Sequence, residues 1–214
     1  MPVRIKICGL TNPDDAVCAA ELGCDAIGLN FFSRSPRFIS VETARTIVRA
    51  LPTFVEPVAV VVDLGWQELV ELSQTVGSLQ WVQRYGTPLE GPPPSALRFI
   101  PAFPVRDAES LARITDYLDR CSALNDLPSA ILVDAHAPGR HGGTGQQVPW
   151  QLLANFCPAV PLILAGGLTP ENVAEAIRIV RPFAVDVASG VEAESGRKDT
   201  DKMKRFIENA RAAI

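Results

Sequence analysis

Short apolar runs alternate with amphipathic runs along most of the chain. The segments 4–8, 26–31, 56–62, 78–85, 97–103, 129–134, 161–165 and 184–188 read as strands. Several are almost wholly apolar, as in Val58-Ala-Val-Val-Val62, Ala130-Ile-Leu-Val133 and Leu162-Ile-Leu164. Such runs suit a parallel sheet covered on both faces. Between them, 13–22, 42–50, 66–76, 107–123, 149–156, 170–180 and 199–213 read as helices. Their apolar residues recur at helical spacing, as in Ala16, Ala19 and Ala20, or Val173, Ala176, Ile177 and Val180. Thr169-Pro170 reads as an N-cap followed by proline in the first turn.

Strands separated by helices predict an α/β fold. Eight of them predict a single (β/α)8 TIM barrel occupying residues 1–214. One helix is missing. After the fourth strand the chain reads Gly86-Thr-Pro-Leu-Glu-Gly-Pro-Pro-Pro-Ser95. Proline lacks the amide hydrogen a helix needs and clashes with the preceding turn, so an irregular segment stands in place of helix 4. The rival architecture is a doubly wound open sheet. It requires neither eight strands nor two phosphate-type turns at the end of the chain.

At that end, two apolar runs stop at glycine and lead into helices: Pro161-Leu-Ile-Leu-Ala-Gly-Gly-Leu-Thr-Pro170 and Ala184-Val-Asp-Val-Ala-Ser-Gly-Val191. Glycine permits a tight turn and lets a ligand approach backbone N–H groups. A helix starting just beyond adds the positive end of its dipole. In a barrel these are the loops after strands 7 and 8, where phosphate sites recur. A small phosphorylated substrate is expected, with residues 188–192 forming a short extra helix.

Composition narrows the alternatives. Of 214 residues, 47% are hydrophobic and 21% charged, which is ordinary for a globular protein. The net charge of −4 offers no basic face for nucleic acid. The opening residues contain no long apolar stretch, so neither a signal peptide nor a membrane span is expected. Five cysteines without paired spacing argue against a disulfide framework and for a reducing cytoplasm. The only histidines, His136 and His141, share one loop, so no metal site is expected.

Three residues stand where chemistry is expected. Cys8 ends the first strand in Lys6-Ile-Cys-Gly-Leu-Thr11. A free cysteine is usually a small buried hydrophobe, a description that suits Cys18, Cys24, Cys121 and Cys157. Catalytic groups, however, sit at the C-terminal ends of barrel strands, and an ionised thiol there is a base or nucleophile. Asp134 ends the sixth strand; an aspartate after a strand is commonly a turn residue. The adjoining glycine-rich loop, Gly139-Arg-His-Gly-Gly-Thr-Gly145, shifts the reading toward a ligand site. Arg37 comes after the second strand, stiffened by Pro36. Most surface arginines are merely solvated, but its planar fork suits a carboxylate.

At these residues the chain resembles the phosphoribosylanthranilate isomerase family. Five segments carry the resemblance, in order: Lys6-Ile-Cys-Gly-Leu-Thr11; Gly28-Leu-Asn-Phe-Phe32 with Ser35-Pro-Arg-Phe-Ile39; Leu132-Val-Asp134 with Gly142-Gly-Thr-Gly145 and Trp150; Leu164-Ala-Gly-Gly-Leu168 with Pro170-Glu-Asn-Val173; and Asp186-Val-Ala-Ser-Gly-Val-Glu192 with Gly196-Arg-Lys-Asp199. The resemblance implies an Amadori rearrangement of N-(5-phosphoribosyl)anthranilate in tryptophan biosynthesis, without cofactor or metal, by a monomer or homodimer. It implies Asp134 as general acid, Cys8 as general base and Arg37 as the clamp on the anthranilate carboxylate. It places Gly143, Gly166, Gly167, Ser189 and Gly190 around the phosphate, and Gln83 and Asp186 among the substrate-binding residues. One segment departs: the family's Gln-Leu-His-Gly reads Gln83-Arg84-Tyr85-Gly86 here. Tyrosine can hydrogen-bond but is no cation near neutral pH. Arg84 must find solvent or a partner. That departure supports the alternative expectation, a catalytically weak or inactive phosphosugar-binding barrel. Other phosphosugar barrel enzymes fit less well, given the scarcity of histidine and a cysteine rather than an aspartate on the first strand.

Overall fold

Eight parallel strands close on themselves in chain order, β1 next to β2 and β8 next to β1, in the computed structural model, which describes residues 2–77, 79–134 and 150–213. The strands are β1 (Arg4–Cys8), β2 (Ala26–Asn30), β3 (Glu56–Val62), β4 (Trp81–Tyr85), β5 (Arg98–Pro104), β6 (Ile131–Asp134), β7 (Leu162–Leu164) and β8 (Ala184–Val187). The helices are α1 (Pro13–Glu21), α2 (Val41–Ala50), α3 (Trp66–Val76), α4 (Ala108–Ala123), α5 (Trp150–Leu153), α6 (Val173–Val180) and α7 (Thr200–Arg211). The TIM barrel expected from the sequence is present, and no helix joins β4 to β5.

The period of two along each strand sorts the core into two compartments. Ile5, Ile7, Ile27, Leu29, Ala59, Val61, Ile131, Val133, Val185 and Val187 face outward and pack beneath the helices. Val58, Ile100, Ala102, Leu132, Ile163 and Ala184 point into the barrel and fill it. The apolar stripes on α2, α6 and α7 close the outer layer, with Ala44, Ile47, Val173, Ile177, Met203 and Phe206 all buried. Helix starts are capped as their sequences require. Asn12, Ser40, Asp107 and Asp199 each accept a hydrogen bond from a backbone amide of the first turn.

Three local features differ from expectation. Regular α6 begins at Val173 rather than 170. Thr169 still closes the turn ahead of it, its Oγ1 accepting from Glu171 N and its carbonyl from Val173 N. Residues Ser189–Val191 form a 3-10 turn, shorter than the helix anticipated at 188–192. An unpredicted antiparallel hairpin, β9 (Glu192–Glu194) and β10 (Arg197–Lys198), precedes α7. Of the four cysteines read as buried hydrophobes, only Cys24 is fully buried; Cys18 and Cys121 are half-buried and Cys157 is exposed.

The irregular segment after β4 is pinned by polar contacts instead of helical turns. The Trp66 indole donates to Glu90 O at 2.9 Å. Arg84 faces outward from β4 and is 5% exposed. Its Nε donates to Leu64 O at 2.7 Å and its Nη1 to Thr87 O, so it ties the loop after β3 to the segment after β4.

Candidate active site

Alternation decides which side chains meet at the C-terminal mouth of the barrel. Inward-facing positions are apolar at the bottom and become polar toward the top. Cys8, Asn30, Tyr85, Asp134 and Asp186 line one cavity together with Arg37. The loops after β7 and β8, with Gly166, Gly167, Ser189 and Gly190, form another wall of the same cavity. Gly166 and Gly167 both adopt positive φ, 90° and 66°, so the turn after β7 requires them. The strand-end residues singled out from the sequence are therefore brought together. Gly143 lies outside the described residues.

Cys8 is buried, and three charges act on it. Burial pushes its thiol up, and the Asp186 carboxylate adds to that; the neighbouring Lys6 ammonium and Lys198 pull it back down. The balance is upward, so without substrate the thiol keeps its proton near neutral pH. Lys6 itself is buried and donates to Asp186 Oδ1 at 2.8 Å. Burial alone would lower its pKa, but Asp186 and Cys8 outweigh burial and raise it, so Lys6 is an ammonium.

Across the mouth, Gln83, Tyr85 and Asp134 form a hydrogen-bonded chain. Gln83 Nε2 donates to Tyr85 Oη at 3.2 Å, and Tyr85 Oη donates to Asp134 Oδ2 at 3.1 Å. Burial first, and then the neighbouring Asp134 charge, hold the tyrosine well above its ordinary range, so it remains a donor. Gln83 was expected to touch substrate. It instead lies beneath Tyr85, 1% exposed, and does not reach the cavity. Its Oε1 has no hydrogen-bond partner among the described residues.

Arg37 also differs from expectation. Its fork is already taken: Nε and Nη2 donate to Glu192 Oε1 and Oε2, each at 2.7 Å. Lys198 Nζ donates to the same carboxylate at 2.9 Å and to Ala188 O at 3.0 Å. Burial acts to raise Glu192, but Arg37 and Lys198 together hold it below the ordinary carboxylate range. An incoming carboxylate must therefore use the other edge of Arg37, through Nη1 and the second Nη2 hydrogen. The stem of Arg37 runs over Gly9, where φ is +75° and a Cβ would collide with Arg37 Cδ.

Sequence reasoning missed Lys6, Glu192 and Lys198 as members of this site. For Lys6 a signal existed. It lies two residues before Cys8 in a strand, so both must share a face.

Among the described residues, no group of three or more His, Cys, Asp or Glu side chains is placed to hold a metal ion. No helix among them is long and apolar enough to cross a membrane. A closed parallel barrel with a thiol, a carboxylic acid and a guanidinium around its C-terminal mouth defines a TIM-barrel enzyme site. The family model described as N-(5'phosphoribosyl)anthranilate (PRA) isomerase matches residues 5–209. The chain belongs to that family. It is 43% identical over 211 residues to the N-(5'-phosphoribosyl)anthranilate isomerase of Geobacter sp. (strain M21), covering 97% of this chain and 98% of the relative. The phosphoribosyl anthranilate isomerase crystal structure from Thermotoga maritima superposes with a TM-score of 0.85 at 39% identity, covering 98% of this chain and 99% of that one. A crystal structure of the isomerase in complex with reduced 1-(o-carboxyphenylamino)-1-deoxyribulose 5-phosphate superposes at 0.80 with 37% identity, covering 98% and 99%.

Proposed function

We propose that the chain catalyses the Amadori rearrangement of N-(5'-phosphoribosyl)anthranilate to 1-(o-carboxyphenylamino)-1-deoxyribulose 5-phosphate, a step of tryptophan biosynthesis. The observation that carries this reading is the placement of Cys8 and Asp134 on opposite sides of one cavity, with the glycine turns after β7 and β8 closing its third side. Asp134 protonates the furanose ring oxygen. The C1–O bond breaks as the anthranilate nitrogen pushes its lone pair toward C1, giving an open-chain iminium. Cys8, as thiolate, removes the C2 proton, and that electron pair forms the C1=C2 bond of an enolamine while the iminium becomes an amine. Tautomerisation then delivers the ketone. The iminium places positive charge beside the sulfur, which favours the thiolate when it is needed. Arg37 binds the anthranilate carboxylate with the edge that Glu192 leaves open. Backbone N–H groups near Gly167 and Gly190 hold the phosphate. Gln83 serves through Tyr85, without touching substrate. The chain acts in the cytoplasm as a monomer or homodimer.

The direct test is turnover of phosphoribosylanthranilate generated in situ, monitored by loss of its fluorescence. A rate equal to the buffer blank, with the protein folded, would support a binding barrel instead.

Tyr85 is integrated into the site by its bond to Asp134, although it replaces the family's histidine. Tyr85→Phe removes that bond and leaves the ring. A hydrogen bond to a charged group contributes about 1.5–3 kcal/mol, so kcat should fall by roughly tenfold or more. Near-normal kcat in Tyr85→Phe would show that the bond to Asp134 does not serve the acid.

A further inference from the structure

We propose that Lys6 is the counter-ion that makes Cys8 usable as a base, and that Asp186 holds Lys6 in place for that task. The inference rests on the reading of Cys8 as the base, and it assigns a positioning role to two residues that do not themselves act on substrate.

The geometry begins with strand alternation. Lys6 and Cys8 lie two apart on β1, both facing into the barrel. Asp186 is the register partner of Lys6 on β8. A lysine pointing into a closed barrel must find an anion, because an unpaired buried ammonium is strongly unfavourable. Asp186 supplies it at 2.8 Å, and the two side chains are 5% and 6% exposed.

A single carboxylate does not exhaust an ammonium with three hydrogens. The Cys8 sulfur is its neighbour on the same face of β1, and both side chains crowd the same point over Gly28. Space for this is made by β2. A Cβ on Gly28 would lie 2.6 Å from Cys8 Sγ and 3.0 Å from Lys6 Nζ. No methyl group fits there, so any other residue at 28 would push the sulfur or the ammonium aside. A glycine whose φ is ordinary needs another reason to be glycine, and this close approach is one.

The other charges facing Cys8 do not substitute for Lys6. Lys198 on β10 and Arg37 after β2 are both committed to Glu192. Tyr85 on β4 is neutral, and Asp134 on β6 and Asp186 on β8 are acids that disfavour a thiolate. Lys6, one inward position below Cys8 on β1, is the cation beside the sulfur.

The test reads the thiol directly. Ultraviolet absorbance of thiolate is titrated with pH, and the same curve from Cys8→Ala is subtracted to isolate Cys8. Alkylation by iodoacetamide near neutral pH supplies a second reading, again relative to Cys8→Ala. Lys6→Met should raise the midpoint and slow alkylation of Cys8 by about tenfold or more, since each pKa unit changes the thiolate fraction tenfold. Because Lys6→Met strands Asp186 without its partner, the double variant Lys6→Met/Asp186→Asn is measured beside it. It removes both charges and keeps the fold balanced. The same direction of change is expected there, and Lys6→Arg should restore most of the wild-type titration. A folded double variant whose Cys8 titrates and alkylates like wild type would overturn the proposal. Neither reading depends on turnover. An inactive chain with a Lys6-dependent thiol would therefore refute the isomerase reading and leave the Lys6–Cys8 coupling standing.

Discussion

Cys8→Ala should lower kcat by about 10²–10⁴-fold, the usual contribution of a positioned general base, while the barrel keeps its fold. The sulfur lies at the open end of β1 against the cavity, so its removal enlarges a space that already exists instead of hollowing the packed core. The melting temperature should stay close to that of the parent. Asp134→Asn should produce a loss of similar size for the complementary reason. The amide oxygen can still accept from Tyr85, so the geometry of the Gln83–Tyr85 chain persists while the transferable proton is lost. Steady-state turnover and thermal melts of both variants decide the matter. Near-normal kcat in Cys8→Ala would mean that the thiol is not the base, and the acid–base assignment would fall with it.

Gly190→Val is expected to raise the KM for substrate and the inhibition constant of inorganic phosphate together, by roughly tenfold or more. The physical reason is crowding of backbone against backbone. In the structure, a Cβ at 190 would run into the Leu168 carbonyl oxygen, with Leu168 C at 3.0 Å and Thr169 Cα at 3.2 Å. These are backbone atoms and cannot swing aside. The 3-10 turn after β8 must move away from the loop after β7, and overpacking of this kind costs about 1–3 kcal/mol. Donors contributed by the two loops would no longer converge. If Gly190→Val competes for phosphate as the parent does, the anion is held elsewhere in the cavity.

The barrel was legible because its signals are local. A buried parallel strand needs apolar residues on both faces, and a helix announces itself by period and cap. The proline-rich segment after β4 could be read as non-helical for the same reason. The site was legible in part. Cys8, Asp134, Arg37 and the glycines of the last two loops stand at strand ends that alternation and motif order locate. What escaped was the pairing among them. Nothing near Arg37 in the chain points to Glu192, 155 residues away, nor near Lys6 to Asp186, 180 away. Glu192 reaches Arg37, and Lys198 reaches Glu192, from a hairpin that was missed, although Ser195-Gly196 is a turn signal and Gly196 adopts a φ of +83°. Gln83 was misplaced because its motif neighbourhood says nothing of depth. It lies below Tyr85, one layer farther from the mouth.

The pairing of first-strand residues with last-strand residues bears on how the chain acquires its chemistry during synthesis. Lys6 meets Asp186, Thr11 meets the carbonyl of Gly196, Asp15 meets the amide of Lys198, and Arg37 meets Glu192. Each joins the first quarter of the chain to residues beyond 185. On the ribosome, the amino-terminal half emerges with its buried-to-be cations still hydrated and its reactive sulfur without the neighbours that tune it. Contacts of such long sequence separation form late, because the loop entropy they close is large. The final strand, turn and hairpin therefore act as a latch: a nascent or carboxy-terminally clipped chain carries Cys8 and Arg37 without the partners that set them, and those partners arrive when the ends meet.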